Sequence, residues 1–131
     1  MTYHYLAQHR VEFFETDLAG IVHFANFYRF MEQAEHEFFR SLGLEIHGKR
    51  QDGVVYGWPR VSASCSFKAP AYYGDVIEIG LTIIRLTRRS LTVEYQFRHD
   101  GELLANGELK TAYCIFPAGK KLESAELPDS V

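Results

Sequence analysis

Residues 24–42 carry a repeat of apolar side chains that predicts one long amphipathic helix. The repeat consists of Phe27, Phe30, Met31, Ala34, Phe38 and Leu42. These positions recur every three or four residues, so they fall on one face of a helix with about 3.6 residues per turn. Asn26 is a suitable N-cap, although His23 or Phe24 is equally able to begin the first turn, and Gly43 is suited to the C′ position. A face this rich in aromatic rings predicts packing against a broad sheet.

Strand patterns lie on both sides of this helix. The segments are 3–14, 61–69, 76–86, 90–98 and 103–116. They are rich in β-branched and aromatic residues or alternate between apolar and polar ones. The alternation over 61–69 is typical of a half-buried strand. A bulge is predicted near Asn106–Gly107. Asp100–Gly101 favours a type I′ hairpin turn, because both residue types tolerate a positive φ.

The order of elements predicts a single α+β domain over residues 1–131. Short connections between the last strands require antiparallel pairing. The simplest packing wraps one curved sheet of about five strands around the helix. Residues 45–60 are predicted to be irregular, and the polar tail after residue 117 to be loose.

Charge and composition exclude several classes of protein. The net charge of −3 disfavours a nucleic-acid binder, which is normally basic. No apolar run approaches the ~20 residues of a membrane span, and the N-terminus lacks the apolar stretch of a signal peptide. Cys65 and Cys114 lie in apolar strand-like stretches, so both are expected to be buried free thiols in a reducing, cytoplasmic compartment. The six histidines do not cluster, and no metal site is expected.

Residues 15–29, with the sequence ETDLAGIVHFANFYR, carry the candidate chemistry. Asp17 stands a few residues before the predicted helix start, where unpaired backbone N–H groups form a partially positive pole. Such amides can stabilise an oxyanion while Asp17 attacks an electrophile or activates water. Taken alone, the spacing favours a plainer interpretation, in which Asp17 and Gly20 only form a turn.

The same stretch resembles the signature of the 4-hydroxybenzoyl-CoA thioesterase branch of the hotdog-fold acyl-CoA thioesterases. The matching positions are Asp17, Gly20, Ile21–Val22, His23, Asn26–Phe27 and Arg29. Weaker similarity extends over nearly the whole chain. The resemblance implies a hotdog fold, in which an antiparallel sheet curls around the long helix. It also implies a homodimer with a joined sheet, or a dimer of dimers, with active sites between subunits. Pairing would also cover an edge strand that is otherwise open to aggregation.

The resemblance further implies a role for each matching residue. Asp17 corresponds to the catalytic carboxylate, which either attacks the thioester carbonyl to give a mixed anhydride or activates water. The backbone N–H of Phe24 corresponds to the oxyanion donor. His23 is expected to orient the carbonyl or the water, with a polar helix cap as the alternative. Gly20 and Asn26 are expected to contribute to substrate binding.

Two further groups of residues are assigned to the substrate. Coenzyme A carries phosphates, so a basic mouth is expected, and Arg88 and Arg89 are the first choice because guanidinium forks suit phosphate. Lys120 and Lys121 are alternatives, unless they form only a solvated cluster. Trp58 is expected to wall the acyl pocket across the subunit interface, or else to pack in the core.

The sequence therefore predicts an acyl-CoA thioesterase. It would hydrolyse an aryl or a short- to medium-chain acyl-CoA to the free acid and CoA, with no cofactor beyond the substrate's own CoA. One alternative is a non-catalytic acyl-CoA-binding hotdog protein. Another is a dehydratase on the same fold, which generally uses a His and an acidic partner from a different part of the chain. The position of Asp17 before the helix argues against the dehydratase.

Overall fold

The computed structural model describes residues 2–117, 119 and 121–127. A short 3₁₀ turn covers Phe13–Glu15, and one long helix, α1, covers Phe24–Ser41. The strands are β1 (Tyr5–Arg10), β2 (His47–Lys49), β3 (Val55–Gly57), β4 (Arg60–Phe67), β5 (Val76–Leu86), β6 (Ser90–His99), β7 (Glu102–Ala112), β8 (Cys114–Phe116) and β9 (Glu123–Ser124). A five-stranded antiparallel sheet has the order β1-β5-β6-β7-β4, and a smaller sheet has the order β2-β3-β8-β9. The predicted α+β architecture, with a sheet packed on one helix, is confirmed.

The helix lies against the larger sheet through its aromatic face, as its periodicity predicts. Phe30 and Met31 are almost completely buried, and they pack with Phe97 of β6 in the main core. Gly107 of β7 leaves room for this contact, because a Cβ at this position would lie 2.6 Å from the Met31 sulfur and 3.1 Å from the Ser64 carbonyl oxygen. The glycine therefore allows the helix to approach the sheet closely.

The helix ends follow local rules. The N-cap is His23 rather than Asn26. At the other end Gly43 has a φ of 74°, and the N–H of Leu44 donates to the Phe39 carbonyl at 2.9 Å. This is the expected glycine C-cap, which satisfies carbonyls that the helix leaves unpaired.

One carboxylate is buried between the middle of α1 and the sheet. Glu35 is 3% exposed, and its Oε1 lies 3.0 Å from Nη2 of Arg60. Burial raises the pKa of Glu35, and the nearby Arg60 guanidinium opposes that rise. Because an unpaired buried charge is costly, Arg60 is needed to hold Glu35 in this position.

Strand β4 was predicted to be half-buried, and this prediction is wrong. Val61 is 57% exposed and Phe67 is 46% exposed, while Cys65 is half-buried. Within the described chain β4 pairs only with β7, so it lies at an edge of the sheet. The alternation correctly indicated two unlike faces, but the described residues cover the apolar face only in part, through Phe67 against Phe27 and Cys65 against the core.

The strands differ from the prediction in three places. The first strand is shorter than predicted and gives way to the 3₁₀ turn, and residues 45–60 contain β2 and β3. The extra residue in β7 is Leu104, opposite the step from Phe97 to Arg98, whereas Asn106 and Gly107 stay in register. The predicted Asp100–Gly101 hairpin turn is confirmed by φ values of 48° and 83°.

Part of the segment after residue 117 is hydrogen-bonded to the rest of the chain. Strand β9 pairs with β8, and the N–H of Leu127 donates to the Arg88 carbonyl. Residues 118, 120 and 128–131, and with them Lys120, lie outside the described residues, whereas Lys121 is described and exposed. In the described part of the chain, no helix has the length and apolar character to cross a membrane.

Candidate functional site

The loop between β1 and α1 folds back on itself and brings Asp17 close to the helix start. Thr16 and Val22 form an isolated antiparallel bridge. The N–H of Asp17 donates to the Ile21 carbonyl at 2.9 Å, and the N–H of Gly20 donates to the Asp17 carbonyl at 2.9 Å. Gly20 has a φ of 82°, a left-handed conformation that favours glycine. The motif spacing therefore encodes a tight turn that returns the chain to α1.

The Asp17 carboxylate is half-buried and keeps one oxygen uncommitted. Its Oδ1 accepts a hydrogen bond from the N–H of Ala19 at 2.9 Å, which fixes the side chain in an Asx turn. Among the described residues, no group donates to Oδ2. Asp17 lines an open cavity of about 680 Å³ at the N-terminal end of α1. The turn interpretation and the catalytic interpretation are therefore compatible, since the turn holds Asp17 against the cavity.

At the helix start, the backbone N–H of Phe24 is available as a donor. His23 is the N-cap, and its Nδ1 accepts from the N–H of Ala25 at 3.3 Å. The N–H of Asn26 donates to the His23 carbonyl at 2.9 Å. No atom of the described residues accepts a hydrogen bond from the N–H of Phe24. Because Nδ1 of His23 is an acceptor, a neutral His23 ring carries its proton on Nε2.

Asn26 has a partner within the chain. It is 9% exposed, and its Nδ2 donates to the main-chain carbonyl of Glu15 at 2.8 Å. The sequence assigned Asn26 to substrate binding, whereas this contact fixes the entry loop to α1. Asn26 still contributes to the cavity wall.

The structure brings most of the predicted N-terminal site together. Asp17, His23 and Asn26 line the same cavity, and Gly20 and Phe24 lie within the turn and the helix start. The sequence assigned no site role to the six other lining residues, which are Phe13, Phe14, Thr16, Leu18, Ala25 and Arg29. Phe13 and Phe14 are 75% and 79% exposed. The sequence did not indicate that Phe13 and Phe14 are exposed, because they are adjacent aromatic residues in a segment with a strand pattern. Arg29, by contrast, was part of the recognised motif.

Arg88 and Arg89 lie at the opposite end of the sheet from Asp17. Strand β5 begins beside the Asp17 loop, since the N–H of Val22 donates to the carbonyl of Ala71 just before it. The strand then runs for 11 residues, which span about 35 Å at ~3.3 Å each. Both arginines follow its far end and are exposed. A single chain therefore does not bring them to Asp17.

Trp58 also lies away from Asp17, towards the C-terminal end of α1. It is 5% exposed, and its ring centroid lies 5.5 Å from that of Phe39 and 5.2 Å from that of Tyr113. Within one chain Trp58 is a core residue, which agrees with the plainer of its two predicted roles.

A second cavity, of about 750 Å³, lies beside Trp58. Tyr56, Trp58 and Tyr113 contribute aromatic surface, and charged side chains of both signs complete the lining. Two of these charges form a pair, as Arg50 Nε lies 3.3 Å from Asp52 Oδ1 and Arg50 holds the pKa of Asp52 below its ordinary value. Among the described residues, no group of three or more His, Cys, Asp or Glu side chains is arranged to hold a metal ion.

Comparison with known proteins identifies the family of this chain. Residues 19–105 match the family model described as "Thioesterase superfamily". The 4-hydroxybenzoyl-CoA thioesterase of Pseudomonas sp. strain CBS-3 is 38% identical over 128 residues, which cover 92% of this chain and 89% of that protein. The 1,4-dihydroxy-2-naphthoyl-CoA hydrolase of Synechococcus elongatus is 30% identical over 104 residues, or 79% of this chain and 76% of the relative.

A solved structure supports the same assignment of fold. The gentisyl-coenzyme A thioesterase superposes with a TM-score of 0.81 at 32% sequence identity, over 96% of this chain and 98% of that chain. The sheet wrapped on one long helix is therefore a hotdog fold. Since the family match covers more than half of the chain, the assignment does not depend on the short motif alone. The chain belongs to the thioesterase superfamily and is a hotdog-fold thioester hydrolase.

Proposed function

We propose that this protein hydrolyses aryl-CoA thioesters to the aromatic acid and free CoA, with Asp17 as the catalytic carboxylate. The observation that carries the proposal is the Asp17 side chain, whose Oδ2 is uncommitted within the described chain at a cavity beside the helix start. The names of three similar proteins support the substrate class, because all three refer to aromatic acyl-CoAs. The exposed rings of Phe13 and Phe14 offer an apolar surface for such a group.

Two routes fit the carboxylate. In the first, an Asp17 oxygen bonds to the acyl carbon, the C–S bond breaks, CoA leaves as a thiolate that takes up a proton, and water hydrolyses the mixed anhydride. In the second, Asp17 takes a proton from water as the water oxygen attacks the acyl carbon; the C–S bond of the tetrahedral intermediate then breaks, and the CoA thiolate takes up the proton. In both routes the carbonyl oxygen gains negative charge, which the Phe24 N–H is placed to stabilise. His23 orients the carbonyl or the water, and neither route needs a cofactor.

The complete site requires a second copy of the chain. Arg88 and Arg89 lie about 35 Å along β5 from the Asp17 loop, so they contact the CoA phosphates of a neighbouring subunit's site. Strand β4 supports this arrangement, because its outer edge is unpaired within the described chain and the side chains of Val61 and Phe67 are exposed. Joining two such edges gives a dimer, and two dimers give the tetramer that the sequence allows. The unpaired thiols Cys65 and Cys114 fit a cytoplasmic location.

The first experiment measures CoA release from a panel of aryl and aliphatic acyl-CoAs. The wild-type protein is expected to hydrolyse the aryl members, and Asp17→Asn to reduce kcat by at least about 10²- to 10⁴-fold, the range for general acid–base groups. Asp52→Asn is the matched control, because Asp52 is an exposed aspartate outside this cavity. A fully active Asp17→Asn variant, free of deamidation, would remove Asp17 from the mechanism.

The same panel separates the alternatives. Tight acyl-CoA binding without hydrolysis would identify a non-catalytic binding protein, and hydration of enoyl thioesters would identify a dehydratase. A single turnover in heavy-oxygen water distinguishes the two routes, since label entering the Asp17 carboxylate indicates the anhydride.

The second experiment tests whether the site is shared between subunits. Asp17→Asn chains and chains carrying both Arg88→Ala and Arg89→Ala are each expected to be poorly active at low substrate concentration. Mixed oligomers should recover part of the activity, because an intact Asp17 and an intact arginine pair then meet at some interfaces. Unfolding and refolding the two variants together, with separately refolded samples as the control, provides the measurement. No recovery in verified mixed oligomers would place both groups in one subunit's site.

A further inference from the structure

Glu15 is a buried carboxylate in the loop that carries Asp17. It is 7% exposed, although it lies only two residues before Asp17 and next to an open cavity. Its Oε1 accepts the N–H of Glu12 at 2.8 Å and lies 2.8 Å from Nε2 of His9 on β1. A carboxylate only accepts hydrogen bonds, so Nε2 of His9 is the donor of this pair. The side chain of Glu15 therefore attaches the loop to the edge strand β1.

The main chain of Glu15 attaches the same loop to the helix. Its carbonyl oxygen accepts two hydrogen bonds, one from the N–H of His23 at 2.9 Å and one from Nδ2 of Asn26 at 2.8 Å. His23 is the N-cap, and the Phe24 amide follows it directly. One residue thus connects β1, the Asp17 loop and the helix start.

The His9 end of this connection is itself fixed. The His9 ring centroid lies 4.3 Å from that of Phe30, which is 1% exposed on the inner face of α1. The imidazole therefore packs on the helix while it holds Glu15. Burying a carboxylate this deeply is costly without such partners.

We propose that Glu15 is a positioning residue for thioester hydrolysis, with His9 as its anchor. It sets the separation between the Asp17 carboxylate and the amide at the helix start. The proposal depends on the proposed function of Asp17, but Glu15 itself contacts no substrate. A misplacement of about 1 Å between reacting groups can cost on the order of 10²-fold in rate. Loss of the His9–Glu15 hydrogen bond is therefore expected to lower kcat by about 10- to 100-fold and to leave KM nearly unchanged.

Two substitutions of His9 separate hydrogen bonding from packing. His9→Phe keeps a ring to stack on Phe30 but removes the donor to Glu15. His9→Gln removes the ring but supplies an amide donor of similar reach. If the hydrogen bond positions the loop, His9→Gln retains most of the wild-type kcat and His9→Phe does not. If the ring matters only for packing, the order is reversed.

The measurements are kcat and KM on an aryl-CoA, thermal unfolding, and amide hydrogen exchange over residues 16–23. Glu15→Ala should resemble His9→Phe in kcat, and Glu78→Gln is the control because Glu78 is an exposed glutamate of β5 that pairs with Gln8, next to His9. Faster exchange over 16–23 in His9→Phe, with the rest of the chain unchanged, supports the proposal.

The outcomes also separate this proposal from the proposed function. If the wild-type protein hydrolyses no acyl-CoA, the proposed function fails, and hydrogen exchange alone still reports whether Glu15 orders the loop. If the wild-type protein is active and folded His9→Phe and Glu15→Ala retain its kcat, the positioning role is overturned. The same holds if His9→Gln is no better than His9→Phe.

Discussion

The aromatic residues near the two ends of α1 differ in how much of their surface is exposed. At the N-terminal end, Phe13 and Phe14 are 75% and 79% exposed, while hydrogen bonds from several directions hold the adjoining backbone. At the C-terminal end, Trp58 and Tyr113 are 5% and 1% exposed, and they pack against each other. The N-terminal end of α1 therefore presents exposed aromatic rings on a hydrogen-bonded backbone, whereas the aromatic rings at the C-terminal end belong to the core.

This difference indicates which end meets another molecule. Exposed apolar area costs roughly 25 cal/mol per Å² relative to burial, and contiguous exposed patches commonly mark binding sites. The backbone beside Phe13 and Phe14 is fixed by the Thr16–Val22 bridge and the Asn26 contact. A fixed backbone loses little conformational entropy when a ligand binds. The cavity near Trp58 lacks this combination, since its aromatic rings already have partners.

The largest expected effect follows from truncating one ring at each end. Trp58→Ala is expected to lower the free energy of unfolding by about 3–5 kcal/mol, because it leaves a cavity between Phe39 and Tyr113. Phe13→Ala is expected to change it by no more than about 0.5 kcal/mol, as for other exposed positions. Denaturant titration of both variants measures the difference.

The catalytic activity of the same two variants, measured per folded molecule, tests which end of α1 contacts the substrate. Phe13→Ala is expected to raise KM for aryl-CoA more than for short aliphatic substrates. If Trp58→Ala is nearly as stable as the wild type and shifts the acyl preference, then Trp58 lines the acyl pocket of a neighbouring subunit. In that case aromatic residues at both ends of α1 contact the substrate.

Local patterns predicted the elements that are determined locally. The 3.6-residue repeat placed the helix, and β5 has the predicted bounds of 76–86. The Asp100–Gly101 turn was readable because its two positive φ values suit those residues. The Asp17 loop was recognised from the spacing of its motif, since Gly20 is needed where the chain turns.

Other features depend on contacts that a pattern does not encode. The exposure of β4 reflects its edge position, which follows from strand order. The short strands β2 and β3 have three residues each, too few for an alternation to be recognised. From the sequence, Glu15 is indistinguishable from an ordinary polar loop residue. Its burial depends on contacts with His9 of β1 and with the start of α1, which no local pattern shows. Arg88 and Arg89 were assigned to the substrate from chemistry, but their distance from Asp17 is a tertiary property.

The smallest expected effect concerns His99, which is linked through Asp75 and Tyr72 to the loop that carries Asp17. His99 Nδ1 lies 2.9 Å from the Val76 carbonyl oxygen, and its Nε2 lies 3.5 Å from Asp75 and 3.3 Å from Asp100. Asp75 accepts the N–H of Tyr72, which pairs with Ile21 of the Asp17 loop. The protonated ring therefore supports the turn that adjoins the site.

The pH dependence of this contact has a definite sign. The hydrogen bond to the Val76 carbonyl, together with Asp75 and Asp100, raises the pKa of His99 above 6.5. Its contribution to stability is therefore full below the unfolded-state pKa and is lost as the pH rises through the folded-state pKa. As the pH rises from the unfolded-state pKa of His99 through its folded-state pKa, the free energy of unfolding of the wild type should fall relative to that of His99→Gln. The fall should be small, because the His99 side chain is solvent-accessible. Equal pH dependence in the two proteins would mean that the turn is held without the charge on His99, by the Asp75–Tyr72 contact alone.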